Sequence, residues 1–317
     1  MHNRRASPPF SPTPPVYPFR DRRHRDRFLD LVREFLGRGG KHVVIENGLA
    51  MVEGEPPAHG LTNLAQVCHQ APPDAWPRLV AEHLAKSERS KMEATVDDLV
   101  TSDFAQIAPR LAVRIHPEEL VAGAVGPGIV HRVDLPGTVT VLVLDMPGTT
   151  MAVPVPIAER WGVPFATLID GAVQNLARIS PARWVPLPLP PDGSTWIDAL
   201  HSGFYTSSHV LRTDPFLPRP GANGHLVGLP NRGQLLSHPL DSLPTMFAIE
   251  AMLTMTTGMF REGPGSITPH LYWRTPTGQF LLQQGSDEGG KVRFAPSPEF
   301  VELMVRLRGT RPRPDGR

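Results

Sequence analysis

The sequence predicts an α+β chain in which antiparallel hairpins alternate with amphipathic helices, flanked by disordered basic Pro/Arg-rich tails. Three observations carry that prediction. Apolar residues at helical spacing recur in separate segments, and short runs rich in β-branched residues lie between them. The spacing between those runs is too irregular for repeated βαβ units. Proline fills 37 of the 317 positions, about twice the usual ~5% share, so rigid loops should be numerous.

Residues 1–20 hold six prolines and few apolar side chains, the composition of a disordered or polyproline II arm. Order is expected from Asp21. Phe28, Leu31, Val32, Phe35 and Leu36 then form one helical stripe, ended by Gly37, Gly39 and Gly40. Val43 and Ile45 face Leu49 and Met51 across Asn47-Gly48, a strong hairpin signal. Trp76, Leu79, Val80, His83 and Leu84 make a second stripe, with Pro77 in its first turn.

Leu111, Val113 and Ile115 alternate as a strand closed by Pro117. Thr138–Leu144 is the next strand, turned by Met146-Pro147-Gly148 toward a partner around Ala152–Val155. A third helix follows Pro164, with Phe165, Leu168, Ile169, Ala172, Val173 and Leu176 on one face and Asp170, Gln174 and Arg178 on the other.

A strand at Trp184–Leu189 and a helix at Trp196–Leu211 are expected next, then strands at Leu226–Leu229 and Gln234–Leu236 around Pro230-Asn231-Arg232-Gly233, read as a type I turn. The apolar helix Leu243–Phe260 leads to a hairpin, Leu271–Arg274 with Phe280–Gln283, across Pro276-Thr277-Gly278. Ser297-Pro298 opens a last helix with Phe300, Leu303, Met304 and Leu307 inward, before a basic tail at 309–317. The proline cluster Leu187–Gly193 divides the ordered chain into regions 21–190 and 191–308.

Charge and cysteine content narrow the function. The net charge is +1, yet residues 1–27 carry +5 and residues 306–317 carry +4, which leaves the body at −8. An acidic body argues against a duplex-binding groove, so nucleic acid is not the expected partner. The single cysteine, Cys68, allows no intrachain disulfide and suits a reducing compartment. The longest apolar stretch, Met246–Phe260, is too short to span a bilayer and contains Glu250. A soluble, cytoplasmic protein is the expectation.

Local motifs for chemistry are weak. Gly37-Arg38-Gly39-Gly40-Lys41-His42 lacks the spacing and the strand-to-helix order of a phosphate loop and reads as a helix C-cap. No zinc-type pattern links the 13 histidines; His201 and His209 are the nearest to a metal pair, and no metal or cofactor is assigned. Ser207-Ser208-His209 puts hydroxyls beside an imidazole without the Gly-x-Ser-x-Gly turn of a hydrolase. Asp287-Glu288 reads as a solvated turn, and Glu250 as a rim carboxylate of its helix. No catalytic residue is assigned.

Several short stretches carry a family resemblance. Asn175-Leu176 ends the third helix. Tyr205, Ser207, Ser208, Val210 and Leu211 make an aromatic–small–Ser–aliphatic pattern, Pro230 precedes Leu235 and Leu236, and Ile267-Thr268 precedes Leu271-Tyr272. In these the chain resembles the YtpQ-like bacterial family, catalogued as domain of unknown function 1444, over about residues 28–285. Thr206 stands where that family would carry an acid, and the tails and Pro186–Pro191 have no counterpart. The resemblance implies an α+β cytosolic protein and lends no activity or catalytic residue.

The residues support two functional expectations. The leading one is a non-enzymatic module that binds another protein, drawn from the lack of catalytic constellations, the apolar surplus of Leu243–Phe260 and the proline-rich arms. Met252, Met255 and Met259 read as core filling or, if exposed, as an adaptable partner surface. The alternative is a hydrolase or small-ligand-binding enzyme with its site at Tyr205, Ser208, His209, Asn231 and Arg232, where Arg232 would hold a carboxylate or phosphate. A concave pocket gathering His209, Arg232 and an acid favours the second; a flat exposed patch of Met252, Met255 and Met259 favours the first.

Overall fold

The computed structural model describes residues 17–19, 21–46, 48–93, 103–122, 128–146, 149–189, 193, 195–201, 203–212, 217, 219, 221–241, 245–286 and 292–309. The chain is α+β, and among the described residues every sheet is antiparallel. Most of the two expected tails, and Asp287-Glu288, lie outside the described residues. The N-terminal arm contributes structure earlier than expected, because the Tyr17 and Phe19 rings pack on Phe28 and Phe19 also meets Trp76.

The first region is a helical layer with a small meander. Helix α1 (Arg22–Leu36) is capped by Asp21, whose carboxylate accepts from the Arg23 N–H, and ends at Gly37, the stop expected from sequence. Strands β1 (Val43–Glu46), β2 (Leu49–Val52) and β3 (Glu55–Gly60) come next, paired in that order. Glu46 pairs with Leu49, the register the expected hairpin needs, and Asn47 lies outside the described residues. Helices α2 (Thr62–His69) and α3 (Trp76–Glu93) complete the layer. Phe28, Val32 and Leu36 of α1 share one core with Leu64 and Cys68 of α2 and with Trp76, Val80 and Leu84 of α3.

The second region is built on β6 (Thr138–Met146), buried at almost every position because sheet neighbours flank it and helix packs over it. Its neighbours are β4 (Leu111–Pro117), β5 (His131–Arg132) and β7 (Thr149–Ala152). Strand β7 starts earlier than expected, since Thr149 already pairs with Met146, and Pro154 then caps a short helix. Helix α4 (Phe165–Ile179) lays Leu168, Ile169, Ala172, Val173 and Leu176 on this sheet. Asn175 Nδ2 donates to the Ala108 and Leu111 carbonyls, both at 2.8 Å, and fixes the entry to β4.

The third region is a six-stranded sheet of β8 (Trp184–Leu189), β9 (Thr195–Leu200), β10 (His225–Gly228), β11 (Leu235–Pro239), β12 (Leu271–Arg274) and β13 (Phe280–Leu282), ordered β13-β12-β10-β11-β9-β8. One face, with Leu226, Leu236 and Leu271, packs under α5 (Thr245–Glu262) and α6 (Pro298–Gly309). The alternate residues Val227 and Leu235 face the other way and share a core with Ile115 of β4, which joins the second and third regions. A two-stranded ribbon, β14 (Gln284–Ser286) with β15 (Val292–Phe294), lies before α6.

Two expectations change here. Residues 196–211 are not a helix: β9 pairs with β8 on one side and β11 on the other, and only Ser207–Leu211 curls into a 3-10 turn. Two ladders of backbone bonds outweigh the helical spacing of the apolar residues. The division near residue 190 falls within the β8–β9 hairpin, where Leu189 pairs with Thr195, so residues 184–189 belong to the C-terminal sheet. Strand β8 is the sheet edge, the place where Pro186 and Pro188 forfeit no central ladder bond. Among the described residues no helix is long and apolar enough to cross a membrane.

Candidate functional site

The site begins with the turn after β10. Asn231, 4% exposed, uses its amide twice: Oδ1 accepts from the Gly233 N–H at 3.0 Å, and Nδ2 donates to the Met259 carbonyl near the end of α5 at 3.3 Å. The reverse turn itself closes one residue later than expected, through the Gln234 N–H to the Asn231 carbonyl. Ahead of it, backbone pairing ties Arg232 N–H to the Gly265 carbonyl and Ile267 N–H to the Pro230 carbonyl. Two strand-like segments thus run side by side below the turn.

Glycines make that approach possible. A Cβ on Gly263 would lie 2.1 Å from Asn231 Nδ2, and one on Gly265 would lie 2.7 Å from Arg232 Cδ. Gly265 also has φ of +72°, a conformation that disfavours any side chain. The aliphatic stem of Arg232 therefore lies directly against the backbone of this loop. From the first region, Gln66 of α2 clamps the same loop: Oε1 accepts from the Gly265 N–H and Nε2 donates to Ser266 Oγ, both at 3.1 Å. Gln70, one turn on, donates to the Glu262 carbonyl.

The result is a cleft of about 560 Å³ between α2, the Asn231–Gln234 turn and the end of α5, within the size range of small-molecule sites. Arg232, Phe204, His201, Gln70 and Glu262 are among the residues that line it. His201 Nδ1 lies 3.0 Å from the Gly233 carbonyl, which only accepts, so Nδ1 donates and Nε2 is left for the cleft.

Cations gather around the cleft-lining ring of Phe204, itself 40% exposed. Lys86 Nζ stands 5.2 Å from its centroid, Arg232 Cζ 5.9 Å and Arg114 Cζ 6.0 Å. Arg114 and His116 occupy alternate positions on β4 and so share one face of it. Arg114 Nη1 donates to Thr150 Oγ1 at 3.0 Å, and among the described residues neither Arg114 nor Arg232 forms an ion pair with a carboxylate. Desolvation, with the Arg232 charge second, draws the Arg114 guanidinium down to about 10, still cationic at neutral pH. Desolvation and the charges of Arg114 and Arg232 push His116 down to about 3, so it is neutral. Partial desolvation, then Arg232 and Lys86, also holds His83 below its ordinary value.

The expected site residues divide between surface and core. Asn231 and Arg232 reach the cleft, whereas Tyr205, Ser208 and His209 are 3% exposed or less and lie beneath it. Tyr205 turns inward beside Phe204 and donates to Asp145 Oδ1 at 2.5 Å; burial, then that hydrogen bond and the Asp145 charge, raise its pKa. The Ser207 N–H donates to the Arg232 carbonyl, so this buried segment supports the turn from below. His201 sits on the cleft wall and His209 in the buried layer, and among the described residues no three His, Cys, Asp or Glu side chains gather as a metal would need.

The methionines lie mainly on the core side of α5, and Met259 also lines the cleft. Met252 is fully buried, and Met255 and Met259 pack against the same core of β9–β12, because this is the face that α5 turns to the sheet. Its outward side carries Phe247 and Glu250 instead. Gln66, Gln70, Phe204, Lys86, Arg114, Gly263 and Gly265 were not signalled as site residues by the sequence. The Gly263-Pro264-Gly265 run is the one sequence signal that could have located this loop, since glycine beside proline marks a turn. Compared with family models, with curated proteins and with solved structures, the chain matches none.

Proposed function

We propose that this protein binds a small anionic ligand in the cleft, with Arg232 as its anchor. The observation that carries this reading is the half-buried Arg232 guanidinium on the cleft wall, without a carboxylate partner among the described residues. A partly desolvated cation left uncompensated is unfavourable, and an anion in the cleft supplies the missing charge and acceptor oxygens. The turn chemistry agrees, since Asn231, Gly265 and Gln66 fix the backbone under Arg232 before any ligand arrives. The protein-interaction reading gains no exposed methionine patch, because Met252 is buried and Met255 and Met259 pack against the core.

The test is thermal denaturation of the full chain and of Arg232→Gln against inorganic phosphate, citrate and acetate. A ligand at a hundredfold excess over Kd stabilises the native state by about 2.7 kcal/mol. At least one anion should raise the Tm of the parent protein, and that rise should vanish in Arg232→Gln. An equal response of both proteins, or no response to any anion, would contradict the reading. A hydrolytic reading draws on His201 Nε2 and Glu262 in the same cleft. It would show as turnover of the bound ligand, lost in His201→Gln.

A further inference from the structure

Resting on the anion site at Arg232, we infer that the ligand is a phosphoryl dianion, a small phosphomonoester, held by Arg232 and Arg114 together with its organic part beside Phe204. Charge is the first reason. Two guanidinium groups from distant elements, β4 and the β10–β11 turn, come within 6.0 Å of one ring centroid, and among the described residues neither meets a carboxylate. Lys86 of α3 adds a third cation at 5.2 Å from the same ring. A carboxylate carries one charge, whereas a phosphomonoester carries about −1.5 to −2 at pH 7 and has three acceptor oxygens. The phosphoryl group therefore matches two guanidinium forks better than a carboxylate does.

The second reason is that these cations are held against repulsion. Arg114 is kept on the sheet by its bond to Thr150 Oγ1, and Arg232 by the glycine loop under its stem. The charges of both arginines reach His116, which stays neutral rather than adding to the repulsion. Such preorganised like charges give a binding site much of its selectivity for multiply charged anions. The third reason is the ring. Phe204 is 40% exposed, lines the cleft and leaves apolar surface next to the cations, which suits an aryl or sugar-like body rather than bare phosphate.

Isothermal titration of the full chain with phenyl phosphate and with benzoate separates the phosphoryl assignment from anion binding in general. Phenyl phosphate should bind at least about tenfold tighter than benzoate, the span of one charge-assisted hydrogen bond. Arg114→Gln should weaken phenyl phosphate about tenfold and leave benzoate within about twofold, while Arg232→Gln should weaken both. Arg114→Lys, which keeps the charge on the sheet, should recover part of the loss and guards against misfolding of Arg114→Gln. Benzoate binding through Arg232 with no preference for phenyl phosphate, or equal loss of both ligands in Arg114→Gln, would overturn the phosphoryl assignment alone. No binding of either ligand would remove the anion site itself. Vesicles containing phosphatidic acid identify the source of the phosphoryl group. Arg114-dependent co-sedimentation would assign it to a lipid headgroup, and its absence alongside phenyl phosphate binding would assign it to a free metabolite.

Discussion

Replacing Gly265 by alanine should separate the stability of the fold from the function of the cleft. The new Cβ would lie 2.7 Å from Arg232 Cδ and 3.0 Å from both Cγ and Nε, with no backbone atom among these nearest contacts. A flexible side chain can move away, so the clash itself is relieved by displacing Arg232. What remains is the backbone: φ at Gly265 is +72°, and a left-handed conformation costs a non-glycine residue about 1–2 kcal/mol. For a chain of this size that corresponds to a Tm lower by roughly 2–6 °C. The bonds to Gln66 and to the Arg232 N–H are made by backbone atoms and survive the substitution. Urea denaturation and anion titration on the same sample provide the assay. The variant should remain folded, lose about 1–2 kcal/mol, and lose anion affinity to the same degree as Arg232→Gln. Unchanged anion affinity would refute the claim that the loop positions Arg232.

Two further predictions rest on other parts of the structure. His116 is pushed down to about 3 in the fold, against about 6.5 when unfolded, so its contribution is fully present above pH 6.5 and is lost as pH falls toward 3. Urea midpoints measured across that range should fall less steeply for His116→Gln than for the parent, and parallel curves would show that the imidazole is not held neutral. Met252→Ala removes a fully buried side chain from the core beneath α5 and should cost about 2–5 kcal/mol in equilibrium unfolding. A stable Met252→Ala protein would restore the methionines as a surface feature.

The parts of this fold that the sequence discloses are those decided by neighbours in the chain. The stripe from Phe28 to Leu36, the Glu46–Leu49 hairpin and the Ser297 cap on α6 need only local spacing and turn chemistry. Strand β9 is hidden because its state is set by partners on both sides, not by its own pattern. Ser208 and His209 stand out as a polar cluster, but polarity does not reveal burial, and both lie under the Arg232 turn. The methionine stripe stays open between core and surface in the sequence because α5 is apolar on more than one side, and Phe247, at 67% exposed, is the side chain left outside. In the cleft, only Asn231 and Arg232 are legible as ligand-binding residues, from the Pro-Asn-Arg-Gly turn. Gln66 reaches its partner Ser266 from 200 residues away, and Arg114, Lys86 and Phe204 meet only through the packing of three regions.

Uptake of an anion by Arg232 in the cleft is the central claim. Its most direct test is the arginine Nε–Hε NMR spectrum of the labelled full chain, with the Arg232 signal assigned by its absence in Arg232→Gln, during titration with phenyl phosphate. The predicted result is a saturable shift of that signal at low ligand excess, with the Arg114 signal shifting in parallel. Arginine signals that stay in place, or that drift together without saturation, would contradict it.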